Sequence, residues 1–129
     1  MALIVLDASI VIALLDAGDA LHTRVLDALD RLAAEDLRVP ASAYSESLVG
    51  PARRGHLDAA RTTIESLLLE VVPVTDRIAE AAASLRARHP KLRLPDALVV
   101  ATGAVLAADV VLTGDAGWQR LGRPVQVLG

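Results

Sequence analysis

The feature that most constrains the fold is a pair of short, unbroken apolar runs, each followed closely by an aspartate. The first run spans residues 2–6 (ALIVL), directly before Asp7, and the second lies within residues 109–112 (DVVL), three residues before Asp115. Strands of parallel sheets are buried on both faces, so they read as continuous apolar runs rather than as alternating ones. The two runs therefore predict buried strands of a largely parallel sheet, each with an acid near its carboxyl end.

Segments with helical spacing separate the strand candidates along the chain. In the fourth helical segment, Ala60, Ile64, Leu67 and Leu68 are expected to face inward, and Pro73 is expected to place the third strand at a sheet edge. This alternation predicts one α/β domain over residues 1–129, with a largely parallel sheet covered on both faces by helices. The predicted helices span 8–17, 20–35, 41–54, 57–70, 75–89 and a segment beginning at Pro95, and the further strands span 37–39, 71–74 and 125–128.

Composition narrows the possible classes of protein. A chain of 129 residues with 53% hydrophobic residues and a mean hydropathy of +0.46 suits a single well-packed domain. It has no cysteine, which excludes disulfides and thiolate metal sites. No signal peptide is visible, and the longest nearly apolar stretch is too short to cross a bilayer, so we expect a soluble cytoplasmic protein with no membrane contact. The net charge of −3 gives no general nucleic-acid signature.

Four acids stand at structural boundaries or on one helix. Asp7 ends the first strand, Asp96 opens the apolar segment LPDALVVA, and Asp115 lies in a glycine-containing turn. Each has an ordinary explanation: a helix cap for Asp7, compensation of a helix dipole for Asp96, and turn formation for Asp115. Glu46 lies nearly opposite the apolar stripe of its helix, which predicts a solvated side chain or, at most, one on the wall of a cleft. That stripe comprises Ala41, Tyr44, Leu48 and Ala52.

A shared location for two of these acids depends on the strand order. In an open parallel sheet, ligands bind beyond the carboxyl ends of the strands, where the strand order reverses. Asp7 and Asp115 would meet there if the first and fourth strands were neighbours. Hydrophobic periodicity does not establish that adjacency.

The combination of local motifs is more specific than any one acid. Along the chain, Asp7-Ala8-Ser9, then Glu46 followed by Leu48, then Leu94-Pro95-Asp96-Ala97, then Leu112-Thr113-Gly114-Asp115 occur in that order. In these motifs the chain resembles the PIN-domain nucleases, and most closely the VapC-type toxins of bacterial type II toxin–antitoxin systems. The resemblance covers essentially the whole chain.

The resemblance implies a fold and a set of functional residues. It implies a PIN-like three-layer sandwich with about five strands, in which the first and fourth strands are neighbours. Asp7, Glu46, Asp96 and Asp115 correspond to the acidic metal-binding set, and the hydroxyls of Ser9 and Thr113 correspond to positions that support it. This sequence departs from the pattern at Gly117, where many relatives carry another acid, so a second metal ion is expected to bind weakly or only with substrate.

Clustered carboxylates need a cation, because at ~4 Å each like-charged pair costs about 4 kcal/mol in a medium of intermediate dielectric. An all-oxygen site suits Mg²⁺ or Mn²⁺, and such a metal activates water for phosphodiester hydrolysis. We expect Asp7, Asp96 and Asp115 to bind the metal and Glu46 to bind through water or to orient the attacking water. The resemblance implies an RNA substrate, inhibition by a protein antitoxin and a homodimer.

The basic and aromatic residues give weaker evidence for RNA binding than the acids give for metal binding. The cations at Arg53, Arg86, Arg88 and Arg93 are candidates for RNA phosphate contacts, although cations near helix C-termini are stabilising in any case. Trp118 is expected to pack rather than to stack on a base. Other hypotheses are a housekeeping PIN nuclease and a non-catalytic PIN-like or receiver-like partner-binding module. An aspartyl-phosphate phosphatase is disfavoured, because Ser9 stands where a second aspartate would be required.

Overall fold

A computed structural model describes residues 1–129 as a five-stranded sheet surrounded by six α-helices and one 3₁₀ helix. The strands are β1 (Leu3–Leu6), β2 (Asp36–Pro40), β3 (Glu70–Val72), β4 (Val110–Thr113) and β5 (Val125–Val127). The helices are α1 (Ala8–Leu15), α2 (His22–Arg31), α3 (Ala41–Arg53), α4 (Leu57–Ser66), α5 (Asp76–Arg88) and α6 (Leu94–Val105), and the 3₁₀ helix spans Ala116–Leu121.

The strand order is β3-β2-β1-β4-β5, and every neighbouring pair is parallel. The chain starts in the middle of the sheet, extends to one side through β2 and β3, and then returns to place β4 against β1. In that pair Val5 lies opposite Val111, and Leu6 lies opposite Leu112. The predicted parallel sheet is therefore confirmed, and so is the adjacency of the first and fourth strands that the resemblance implied. β3 is an edge strand, as Pro73 suggested.

Helices cover both faces of the sheet, which explains the unbroken apolar strands. Right-handed crossovers put the helices that precede β3 on one face and α5 and α6 on the other, because the direction of strand addition reverses. The larger apolar cluster is built mainly on β1, α1 and α2, and the smaller one joins α5 and α6 to Val72. α6 lies very close to β4: a Cβ on Gly103 would come within 2.3 Å of Val111 Cγ2.

The end of the fourth helix differs from the prediction. α4 stops at Ser66 instead of continuing to Glu70, and Leu68 adopts a left-handed φ of 57° with 86% of its surface exposed. Leu67 is exposed too, and Leu69 is buried in place of both. The prediction that Leu67 and Leu68 face inward was wrong, because the turn reorients the chain so that β3 pairs with β2 from Glu70 onward.

The buried face of α3 also differs from the predicted stripe. Its buried residues are Ala43, Ser47 and Pro51, whereas Ala52 is exposed. Small and polar residues line this face, so a search for large apolar side chains misses it. Glu46 is consequently half-buried at the border of the inward face, not opposite it.

Candidate active site

The carboxyl ends of β1 and β4 lie side by side at the point where the strand order reverses. The backbone N–H of Asp7, the residue after β1, donates to the carbonyl of Leu112 in β4 over 2.9 Å. Thr113, the last residue of β4, is completely buried beside it. Since open parallel sheets place their ligand sites at this position, the side chains that follow β1 and β4 are the first candidates for function.

Asp7 is a buried carboxylate held by two hydroxyls. Only 6% of its surface is exposed. Ser9 Oγ and Thr113 Oγ1 each donate to Asp7 Oδ2 over 2.8 Å. The same hydroxyls accept from the next turn, because Gly114 N–H donates to Ser9 Oγ and Asp115 N–H donates to Thr113 Oγ1. Asp7 occupies the N-cap position of α1 but makes no side-chain capping bond, so helix capping does not account for it.

The buried carboxylate is close enough to two other acids to repel them. Burial raises the pKa of Asp7, the hydrogen bonds from Ser9 and Thr113 oppose that rise, and the charge of Asp96 adds to it. Burial also raises the pKa of Glu46, and the charges of Asp7 and Asp96 raise it further. The structure therefore brings Asp7, Glu46 and Asp96 together from β1, α3 and α6.

Asp96 lies in the first turn of α6, where it forms an ion pair with Arg93. Arg93 Nε lies 3.3 Å from Asp96 Oδ2, and the two side chains are 72% and 15% exposed. The guanidinium also attracts Glu46 and Asp115, and for Glu46 it partly opposes the rise in pKa that burial and the neighbouring acids cause. Arg93, which the sequence offered as a phosphate contact, thus neutralises part of the acidic cluster.

Asp115 lies at the rim of this cluster. It is exposed, occupies the N-cap of the 3₁₀ helix, and accepts from Gly117 N–H through Oδ1 over 2.8 Å. A Cβ on residue 117 would stand 3.0 Å from that same oxygen. The glycine at position 117 therefore leaves room for Asp115 to fold back onto the turn.

The donor chemistry of the cluster suits a divalent cation. Asp7, Glu46, Asp96 and Asp115 offer carboxylate oxygens only, and a hard cation would relieve the repulsion among them. No three acidic or histidine side chains are already drawn together as a metal-ligand group. The positive charge next to Asp96 is supplied by Arg93.

The other candidates make no ion pair or hydrogen bond with the four acids. Arg53 is exposed in the last turn of α3 and forms no ion pair, and Arg88 is exposed at the end of α5. Arg86 donates to the backbone carbonyls of Leu92 and Pro90. Trp118 is 2% exposed within the main apolar cluster, so it packs as expected and offers no face to a base.

The sequence analysis did not identify one cation near the site. Arg120 in the 3₁₀ helix donates to the carbonyl of Gly117, which is the residue that hydrogen-bonds Asp115. Nothing in the local sequence singled it out, because it is an isolated cation near the end of the chain. The contact is local, because Arg120 and Gly117 are three residues apart in the 3₁₀ helix.

The sequence profile of the PIN domain matches residues 4–124 of this chain. The chain belongs to the PIN-domain family. The match includes the whole of the sheet except the first residue of β1 and the final strand, and it contains all four acids of the candidate site. No curated protein sequence matches this PIN domain significantly.

Solved structures share the fold of this PIN domain over nearly its full length. A toxin–antitoxin complex from Klebsiella pneumoniae is 22% identical, with a TM-score of 0.78 and 97% of each chain covered. VapBC2 from Rickettsia felis, bound to a promoter DNA fragment, is 12% identical with a TM-score of 0.78, covering 98% of this chain and 99% of the other. Mycobacterium tuberculosis VapC20, a sarcin-ricin loop cleaving toxin, is 24% identical with a TM-score of 0.74, covering 92% and 95%. At these identities the likeness shows the fold.

None of the helices combines the length and apolarity needed to cross a bilayer.

Proposed function

We propose that this PIN domain is a metal-dependent endoribonuclease and the toxin of a toxin–antitoxin pair. The observation that carries the nuclease proposal is Asp7: a buried carboxylate, fixed by Ser9 and Thr113 and repelled by Asp96, at the switch point of a parallel sheet. A fold keeps a costly arrangement of like charges where a cation and a substrate use it.

In this proposal each residue has a distinct task. Mg²⁺ or Mn²⁺, when bound, supplies an activated water and stabilises charge on the phosphate. Asp7 and Asp96, with Asp115 from the rim, hold the ion. Glu46, half-buried on the facing wall, binds through water or orients the attacking water.

The two hydroxyls keep Asp7 in place for this task. Ser9 and Thr113 both bond to Oδ2, which fixes the plane of the carboxylate and leaves Oδ1 without a side-chain donor. Supporting contacts of this kind orient metal ligands, and their removal weakens metal binding.

The toxin proposal rests on the solved structures, which are described as toxin–antitoxin complexes or as an RNA-cleaving toxin. Apolar surface next to the acids supports a protein partner. A groove that reaches Glu46 is lined by Ile12, Leu15, Val49 and Pro51 together with the polar Asp16, Ser47 and Arg54. Ile12 and Val49 are 38% and 45% exposed. A partner seated there would cover apolar surface and close the site. A cytoplasmic homodimer also belongs to this proposal.

The decisive experiment is RNA cleavage by the purified chain, separated from any antitoxin, with Mg²⁺ or Mn²⁺. We expect cleavage that stops with EDTA and is abolished by Asp7→Asn. Asp27→Asn, which neutralises an exposed acid on α2, is the matched control and keeps full activity. Activity in Asp7→Asn equal to that of the parent would reject the site.

Growth and inhibition separate the toxin from the other hypotheses. Expression of the parent should arrest bacterial growth, and expression of Asp7→Asn should not. Cleavage without growth arrest would indicate a housekeeping nuclease, and a folded parent that never cuts RNA would indicate a binding module. A small protein encoded beside the gene should inhibit the parent, and Val49→Asp should weaken that inhibition while cleavage persists.

A further inference from the structure

A second charged feature lies beside the acids. A cleft of about 300 Å³ opens between the loop that joins α5 to α6 and the 3₁₀ helix. We call it the cationic cleft. Its lining contains no hydrophobic residue and consists of Arg88, His89, Pro90, Lys91 and Arg120.

The cations of this cleft are not neutralised by the protein. The chain has four ion pairs, and none of them involves Arg88, Lys91 or Arg120. All three residues are exposed, and the chain as a whole carries a charge of −3. Three unpaired cations around one cleft of an acidic protein make a local site for an anion.

The loop that carries Lys91 is fixed in place. Arg86 Nε donates to the carbonyl of Leu92 over 2.8 Å, and Arg86 also donates to the carbonyl of Pro90. Leu92 is 2% exposed and anchors the loop in the smaller apolar cluster. The cations therefore stand on a preformed surface, which lowers the entropic cost of binding an anion.

Short local links connect the cationic cleft to the acidic cluster. Arg120 donates to Gly117, and Gly117 in turn donates to Asp115 Oδ1 over 2.8 Å. On the other wall, Lys91 is two residues from Arg93, which pairs with Asp96 over 3.3 Å. Cations of the cleft are thus close in the chain to Asp96 and to Asp115, which supports a polyanion that spans both features.

We propose that the cationic cleft binds the backbone phosphates of the RNA strand beyond the cleaved bond, an inference that rests on the proposed nuclease function. Arg88 and Lys91 supply the charge on one wall, and Arg120 supplies it on the other. Arg86, whose guanidinium is bonded to the loop, is a positioning residue. Phosphate contacts set affinity and register rather than sequence preference.

The test measures RNA binding without cleavage. A fluorescein-labelled single-stranded RNA is titrated with the full chain carrying Asp7→Asn, over a range of salt concentrations. The cleft variant carries Arg88→Gln and Lys91→Gln in addition to Asp7→Asn, because neither of these two side chains forms an ion pair. Arg120 is left unchanged, since it contacts the turn that holds Asp115. The control pair, Arg24→Gln with Arg77→Gln, removes the same charge from exposed positions on α2 and α5.

The expected result is weaker binding and a shallower salt dependence for the cleft variant alone. The slope of log affinity against log salt should fall in magnitude by about 1.4, or ~0.7 for each phosphate of a single strand that the variant no longer neutralises. In the cleaving parent, the same pair should raise KM and leave kcat largely unchanged. Arg86→Gln should weaken binding less than the cleft pair does.

Two outcomes would overturn the proposal. One is a slope and an affinity for the cleft variant equal to those of the control pair. The other is a polyglutamate peptide that competes with RNA as strongly as unlabelled RNA does, which would assign the cleft to an acidic protein segment. Because binding is read in the Asp7→Asn background, a parent that binds RNA through the cleft but never cuts it rejects only the nuclease.

Discussion

Thr113 ends β4, Asp7 directly follows the neighbouring strand β1, and the Thr113 hydroxyl donates to Asp7 Oδ2 over 2.8 Å. This bond joins residues 106 positions apart, and both are buried. Burial raises the pKa of Asp7, and the two hydroxyl donors oppose that rise by stabilising the charged carboxylate.

Thr113→Val should destabilise the domain by about 1.5–3 kcal/mol, the usual net contribution of a hydrogen bond to a charged group. The methyl group fills the space of the hydroxyl, but it leaves the carboxylate with one donor fewer and Asp115 N–H without its hydroxyl acceptor. Urea unfolding at neutral pH measures the change. The control is Thr102→Val, since Thr102 is equally buried but its hydroxyl bonds a neutral carbonyl in its own helix. A cost for Thr113→Val no larger than the control's would mean that the bond does little for Asp7.

Asp96→Asn should melt no lower than the parent in the absence of metal. The change relieves repulsion with Asp7 and Glu46, and the pair it breaks with the mostly exposed Arg93 is worth little. Added Mg²⁺ or Mn²⁺ should stabilise the parent by about 2.7 kcal/mol at a hundredfold excess over its Kd, and the variant by less. Differential scanning fluorimetry reads both effects. Asp76→Asn changes an acid in the first turn of another helix and serves as the control. If metal raised the melting temperature of the parent and of Asp96→Asn equally, Asp96 would not be a ligand.

Arg93→Gln should bind Mn²⁺ more tightly than the parent. The guanidinium pairs with Asp96 and attracts Glu46 and Asp115, so it competes with any cation for the same carboxylates. Calorimetric titration compares the two affinities, with Arg77→Gln as a charge-matched variant on α5. A parent and an Arg93→Gln variant of identical affinity would show that the ion binds away from this ion pair.

Gly103→Ala should destabilise the domain by about 1–3 kcal/mol, the usual cost of overpacking a core. The added methyl would meet Val111 Cγ2 at 2.3 Å, where α6 crosses β4. Gly50→Ala, in α3, is the matched control: its Cβ would meet only the movable guanidinium of Arg54, and a helical glycine-to-alanine change gains up to about 1 kcal/mol. Thermal unfolding of Gly103→Ala and Gly50→Ala measures both changes in stability. Restoration of stability by Val111→Ala in the Gly103→Ala background would identify the clash as the cause, and a Gly103→Ala variant as stable as the parent would show that α6 does not need this close approach.

The elements that the sequence predicted well are those with a strong local signal. Unbroken apolar runs marked β1 and β4, Thr75 capped α5 through a bond to Ile78 N–H, and Pro95 marked the start of α6. Weak signals failed where tertiary contacts decided the outcome. The end of α4 at Ser66 follows from the pairing of β3 with β2, which no local pattern in LLLEVV encodes.

The same division applies to the site. The sequence by itself determined the parallel α/β class and the positions of Asp7, Asp96 and Asp115 at the ends of elements, because apolar run length, proline and turn residues act locally. Only the tertiary structure decided which side chains from separate elements meet. The Arg93–Asp96 pair and the bond from Arg120 to Gly117 each join residues three apart, so they follow from local helix geometry. The half-burial of Glu46 and its proximity to Asp7 and Asp96 depend instead on strand order and helix packing, whose energies come from residues far apart along the chain.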